Sequence, residues 1–155
     1  MVKVERYKLF FNSKDFEIIY KKSLESLRKE LNNENFFKHI VKPALEKRYC
    51  FLLYLDGKVI GYQLVQIKKK IIEGGYTFIQ KEYRGKKYSK ILRKFTYESL
   101  KNEIKEVHTF IRKNNIVSMR SVKNLAAELN IEIEEKNIYD ENYNLIGKTF
   151  KTKNE

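Results

Sequence analysis

Fourteen residues in the middle of this 155-residue chain concentrate the side chains best suited to hold an anion. Residues 81–94 carry seven basic groups, Lys81, Arg84, Lys86, Lys87, Lys90, Arg93 and Lys94, against one acidic group, Glu82. That excess of six is nearly half of the net charge of +13. The stretch Gln80-Lys81-Glu82-Tyr83-Arg84-Gly85-Lys86-Lys87-Tyr88-Ser89-Lys90-Ile91-Leu92 joins an apolar run to a helical one. A strand–loop–helix joint leaves the first helical N–H groups unpaired at the positive end of the helix dipole, which favours a phosphate. A solvated lysine face accounts equally well for Lys90 to Lys94.

The remaining charge is spread more thinly. Residues 1–48 carry 12 basic and 7 acidic side chains, residues 49–80 carry 4 and 2, and residues 95–155 carry 10 of each. An apolar share of 42% is enough to bury a core, so disorder is not expected despite 34% charged residues. The apolar runs, such as Cys50 to Leu55, are far below the ~18 residues of a membrane span. The N-terminus is charged from Lys3 onward and has no apolar signal core. One Cys and two His form neither a disulfide nor a metal-ligand cluster. The expectation is one soluble, cytoplasmic domain over residues 1–155, with no metal and no membrane partner.

The elements that must position the basic loop follow from periodicity and punctuation. Val2 to Phe11 reads as a strand, and Asn12 followed by Asp15 as a helix start. Phe16, Ile19, Tyr20, Leu24, Leu27 and Leu31 recur at helical spacing. Phe36, Phe37, Ile40, Val41 and Leu45 suggest a second helix, interrupted by Pro43. Tyr49 to Leu55 and Lys58 to Ile67 flank the hairpin signal Asp56-Gly57, and Lys68-Lys69-Lys70 marks the next reversal. Ile71 to Gln80 is a further strand, with a bulge expected at Gly74-Gly75. Tyr88, Ile91, Leu92, Phe95 and Leu100 form one helical face, Val107 to Ile111 a strand, and Met119, Val122, Leu125, Ala126 and Leu129 another helical stripe. Ile131–Ile133 and Leu145–Phe150 close the chain as strands around a polar turn at Asp140 to Asn144. The order is β-α-α-β-β-β-α-β-α-β-β, an α/β chain with an antiparallel meander and at least one crossover.

Glu82-Tyr83-Arg84-Gly85-Lys86-Lys87-Tyr88-Ser89-Lys90-Ile91-Leu92 resembles the acetyl-CoA loop of the GNAT N-acetyltransferase superfamily, P-E-Y-R-G-K-G-I-G-K-x-L-L with the core [Q/R]-x-x-G-x-[G/A]. The order of elements is similar over nearly the whole chain, and implies a mixed, mostly antiparallel central sheet flanked by helices. Asn115-Ile116-Val117-Ser118 resembles the family's N-x-x-[A/S] helix start. Two core positions depart from the pattern: Lys87 replaces a glycine, disfavoured if φ must be positive, and Ser89 replaces the final Gly/Ala.

The resemblance implies acetyl-CoA as co-substrate and transfer of its acetyl group to a primary amine by direct attack in a ternary complex. Backbone N–H groups of Arg84, Gly85, Lys86, Lys87, Tyr88 and Ser89 would hold the pyrophosphate. Phe78, Ile79 and Gln80 would pair with the pantetheine amides as an added strand, and Asn115 would bond the same arm. An N–H at Ile79 would serve the thioester oxygen. Glu73, six residues before Ile79, falls where family members carry a general base. Val122 stands where many members place a tyrosine acid, which leaves Tyr139, Tyr88 or Tyr143 as substitutes. His108 has a suitable ordinary pKa for proton transfer, and a structural histidine is the commoner outcome on a short strand. His39, Phe36, Phe37 and Tyr49 are candidate liners of the acceptor side, whose basic character suits an anionic small molecule or peptide. Cys50 reads as a buried small hydrophobe, not a nucleophile.

Two other readings remain open at this level. Tyr83 and Tyr88 among seven basic residues would make a stacking and phosphate surface for nucleic acid or another polyanion. A GNAT-like chain that binds acyl-CoA without turnover is the other. A homodimer fits the family, although no residue marks an interface.

Overall fold

A computed structural model describes residues 2–7, 14–46 and 49–152. In chain order the elements are β1 Val2–Tyr7, α1 Lys14–Leu31, α2 Glu34–Phe36, a π-helical turn Phe37–Val41, α3 Lys42–Glu46, β2 Tyr49–Leu55, β3 Lys58–Lys68 and β4 Ile71–Ile79. A 3-10 turn Lys81–Tyr83, α4 Tyr88–Leu100, β5 Glu106–Arg112, α5 Ile116–Glu128, β6 Ile133–Tyr139 and β7 Leu145–Thr152 complete it. The strand order is β1-β2-β3-β4-β5-β7-β6. All neighbours with a described register are antiparallel except β4 and β5, whose parallel pairing requires the crossover through α4. The chain has the expected mixed α/β architecture.

Two compact units share β4: residues 1–66 with 76–97, and residues 67–75 with 98–155. In the first, alternation along the strands separates two faces. Cys50, Leu52, Tyr62, Leu64 and Phe78 gather with Ile19 and Tyr20 of α1 in one core, flanked by Leu24, Leu27 and Val41. Phe51, one residue out of phase, meets Phe95 of α4 edge-on, with ring centroids 6.3 Å apart. Pairing skips Ile60, since Leu53 faces Gly61 and Tyr54 faces Val59. That bulge brings Val59 to the same face as Tyr62 despite the odd spacing. Ser23, wholly buried, gives its hydroxyl to the Tyr20 carbonyl at 2.8 Å and shares a second hydrogen bond with the Tyr62 hydroxyl.

Several local details trace to single residues. Asp56 and Gly57 both have positive φ, 50° and 80°, as a two-residue hairpin demands. Lys69 and Lys70 make the next reversal in the same way, at 52° and 64°, without a glycine. Ahead of Pro43 the helix widens, so that the Lys42 N–H reaches back five residues to the Phe37 carbonyl. The proline has no N–H to continue the ladder, and its ring would crowd the carbonyl four residues earlier.

In the second unit β4 pairs with β5 over Ile71–Glu73 and Glu106–His108. The register continues antiparallel from β5 to β7 and from β7 to β6. Ile111 and Phe150 are buried on the face where Lys123 of α5 meets Glu135 at 3.2 Å.

Some expectations need correction. The sixth strand spans Ile133–Tyr139 rather than Ile131–Ile133, because the Ile131 N–H closes the end of α5 on the Ala126 carbonyl. The buried stripe of α4 is Leu92, Thr96 and Leu100, while Ile91 and Phe95 are more exposed. Thr96 tolerates burial because its hydroxyl bonds the Leu92 carbonyl at 2.8 Å. The fourth strand ends at Ile79, one residue short of Gln80. The expected first strand is described to Tyr7, and its remainder, with the Asn12 helix start, lies outside the described residues.

β3 and β4 approach so closely at Gly61 that a Cβ there would stand 2.7 Å from both the Phe78 carbonyl oxygen and Ile79 Cδ1. Backbone cannot yield as a side-chain tip can. Gly61→Ala is therefore expected to destabilise the protein by about 1–3 kcal/mol, read as a lower urea midpoint. An unchanged midpoint would contradict this packing.

Candidate functional site

The first unit holds a cleft of about 240 Å³ where the end of β4 meets the loop and the start of α4. Thr77, Phe78, Ile79, Tyr83, Arg84, Gly85, Lys87, Tyr88, Ser89 and Arg93 line it. Most of the candidate donor-binding residues in this unit are thus brought together, while Gln80 and Lys86 do not line the cleft.

The loop is built by two left-handed residues. Gly85 has φ 78° and Lys87 has φ 65°. The Lys87 carbonyl accepts the first helical bond, from the Ile91 N–H at 3.3 Å. Lys87 is therefore the cap of α4, and the N–H groups of Tyr88 and Ser89 precede the helical ladder. The conformation that disfavours a side chain is adopted here by a lysine. Tyr83 and Tyr88 close the loop on itself, ring centroids 6.5 Å apart and edge-on.

The end of β4 is ordered by its neighbours. The Gln80 N–H donates to the Ile60 carbonyl at 2.8 Å. The Phe78 carbonyl lies against Gly61. Backbone polar groups alternate in direction along a strand, so Phe78 and Gln80 are turned toward β3 and Thr77 and Ile79 toward the opposite edge. Of the three residues expected to pair with an added chain, Ile79 alone presents its polar groups there. Its carbonyl accepts a 2.8 Å bond from Arg84 Nε, and the same guanidinium lies 5.4 Å from the Phe78 ring centroid. The Gln80 side chain is buried, and its Oε1 makes no hydrogen bond among the described residues.

Thr77 and Arg93 are the lining residues that sequence reasoning passed over, Arg93 being counted only as charge. Arg93 Nε lies 3.4 Å from Thr77 Oγ1, and burial pushes the guanidinium pKa down. The signal was available in the spacing, because Arg93 stands four residues after Ser89 on the same side of α4.

The other candidates for catalysis and for the donor arm lie mostly in the second unit. Glu73 is exposed on β4, in register with His108 of β5. His108 Nε2 is 2.6 Å from Glu106 Oε2, and Lys151 Nζ is 3.5 Å from the same oxygen. The His108 hydrogen bond, then Lys151, hold the Glu106 carboxyl below the usual range. Asn115 caps α5, its Oδ1 accepting from the Ser118 N–H at 3.2 Å. Tyr139 is exposed on β6, and Tyr143 is exposed in the Asp140–Asn144 turn. In the first unit, Tyr49 is partly buried, Phe37 is buried, and Phe36 and His39 are exposed. Burial pushes the Cys50 thiol up to about 12, so it is not a thiolate at neutral pH.

No family model matches the sequence, and no curated protein does. Solved structures do match. Diaminobutyrate acetyltransferase EctA from Paenibacillus lautus, in complex with L-2,4-diaminobutyric acid and coenzyme A, aligns over 98% of this chain and 94% of its own, with TM-score 0.64 and 11% identity. The N-acetyltransferase PseH of Campylobacter jejuni, in complex with acetyl coenzyme A, aligns over 97% of both chains, with TM-score 0.54 and 18% identity. YncA of Salmonella typhimurium, with its cofactor acetyl-CoA, aligns over 99% of this chain and 94% of its own, with TM-score 0.62 and 12% identity. The chain has the GNAT fold. Within that fold the β4–loop–α4 joint carries a lysine where the GNAT loop pattern has a glycine.

Lys87 gives a direct test of the joint. A left-handed non-glycine residue costs about 1–2 kcal/mol, partly offset by the greater unfolded-state freedom of glycine. Lys87→Gly is expected to stabilise the protein by up to about 1 kcal/mol, seen as a raised urea midpoint. A substantial loss of stability would show that the lysine is not strained there.

Proposed function

We propose that this protein is an acetyl-CoA-dependent N-acetyltransferase acting on a primary amine. The observation that carries the reading is the cleft at the β4–loop–α4 joint. There a helix start, the cations Arg84, Lys87 and Arg93, and a strand edge at Ile79 converge. This combination suits a ligand with an anionic end and an amide-bearing arm. The anion meets N–H donors at the positive end of a helix, and the arm extends the strand by backbone pairing. The shared fold supports the same reading.

The donor supplies its acetyl group as a thioester. The Arg84 N–H is committed to the Lys81 carbonyl at 3.3 Å, so the N–H groups from Gly85 to Ser89 hold the pyrophosphate, and Lys86, Lys87 and Lys90 add point charges to it. Ile79 holds the pantetheine arm, with Asn115 as a second contact, and its N–H donates to the thioester oxygen as negative charge develops. Glu73 takes a proton from the acceptor ammonium, directly or through water, so that the neutral amine can attack. Tyr139 returns a proton to the departing thiolate. The acceptor is a small molecule or peptide with anionic character, matching the excess of basic over acidic residues before position 49. The protein works in the cytoplasm, where acetyl-CoA is available.

The edge-on pair Tyr83 and Tyr88 within the basic loop favours, as the second reading, a surface for a polyanion. The two are separated by one experiment. Acetyl-CoA should raise the thermal midpoint of the wild-type protein, and Lys87→Glu should abolish the rise. Glu73→Gln should keep the rise while turnover across an amine panel falls by roughly 100-fold or more. No thermal shift at millimolar acetyl-CoA, with nucleic-acid binding that weakens steeply with salt, would replace the enzyme reading by the polyanion one. A shift without turnover on any amine would leave a binding protein.

A further inference from the structure

We propose that Arg84 is a specificity-determining residue of this cleft. Its side chain closes the Ile79 carbonyl and yields it more readily to a thioester arm that also carries a phosphate. The inference rests on the donor reading above and adds a selection step to it. Arg84 Nε donates to the Ile79 carbonyl at 2.8 Å, and its guanidinium lies 5.4 Å from the centroid of the Phe78 ring. Gln80 is committed to Ile60, so Ile79 is the last residue of β4 that presents backbone groups to an added chain. The acceptor atom that an amide N–H of the arm would use is the one Arg84 holds.

Arg84 is exposed, and Arg84 and Ile79 both line the cleft. A guanidinium has five donors in a planar fork and binds a phosphate through two parallel bonds, a stronger arrangement than one bond to a neutral carbonyl. A phosphate in the cleft therefore draws the side chain off Ile79, and the arm's amide takes its place on the carbonyl. An arm without a phosphate must displace Arg84 with nothing to receive the guanidinium. Phosphate and arm consequently strengthen each other's binding, and by linkage the factor is the same in both directions.

The test uses the full chain and two separate probes, ADP and pantetheine, with affinities read by NMR titration. Saturating ADP should tighten pantetheine binding to the wild type by roughly threefold to tenfold, the worth of one charge-assisted hydrogen bond at an exposed site. In Arg84→Met, pantetheine should bind more tightly than to the wild type alone, and ADP should no longer change its affinity. An unaltered thermal midpoint would confirm that the variant is folded. ADP binding with no effect on pantetheine in the wild type overturns the role of Arg84 and leaves the donor reading standing, as does coupling that survives in Arg84→Met. If the wild type binds neither probe at millimolar concentration, the donor reading falls and the selection step falls with it.

Discussion

The chain must turn out of β4 and into α4 between Ile79 and Tyr88, and the site depends on how it does so. A 3-10 turn carries it to Tyr83, and left-handed residues at Gly85 and Lys87 complete the reversal. Because Lys87 accepts the first helical bond, its conformation sets the direction in which the helix begins. The unpaired N–H groups at that start, and the positive end of the dipole, follow from the backbone alone. Arg84, Lys87 and Arg93 then take positions around a cleft whose shape the joint has already determined. A lysine held at φ 65° is strained, and such strain clusters at functional sites.

Charge acts within this frame. The basic excess in residues 81–94 could have been an undivided cationic surface. Instead its members do different things. Arg84 lies over the end of β4, Arg93 is half-buried beside Thr77, and Lys94 is exposed. Elsewhere acidic groups are met locally, as where Glu135 receives both Lys123 and Lys148, whose hydrogen bonds hold its carboxyl below the usual range. Exposed pairs of this kind contribute little to stability.

Much of the fold was legible in the sequence because its signals are local. Asp56-Gly57 specifies a hairpin by backbone conformation, and the apolar, β-rich runs on either side of it specify two strands. The basic loop was legible for the same reason. Part of what was not legible depends on a partner far along the chain: Phe95 turns out of the buried stripe of α4 to meet Phe51, and Thr96, whose hydroxyl bonds the Leu92 carbonyl one turn back, is buried in its place. The rest is local but has no distinctive residue to mark it. The left-handed pair Lys69 and Lys70 has no glycine to announce it. The π-helical turn before Pro43 is one of several ways to accommodate a proline, and composition does not select among them. Within the candidate site, the loop residues could be named from their types, but the direction of each backbone group at Phe78, Ile79 and Gln80 required the register with β3.

A crystal structure of the protein with coenzyme A tests this donor site most directly. The pyrophosphate should lie on the N–H groups between Gly85 and Ser89, with the pantetheine arm paired to Ile79. Coenzyme A bound away from this joint, or no bound coenzyme A in crystals soaked at millimolar concentration, would contradict that placement.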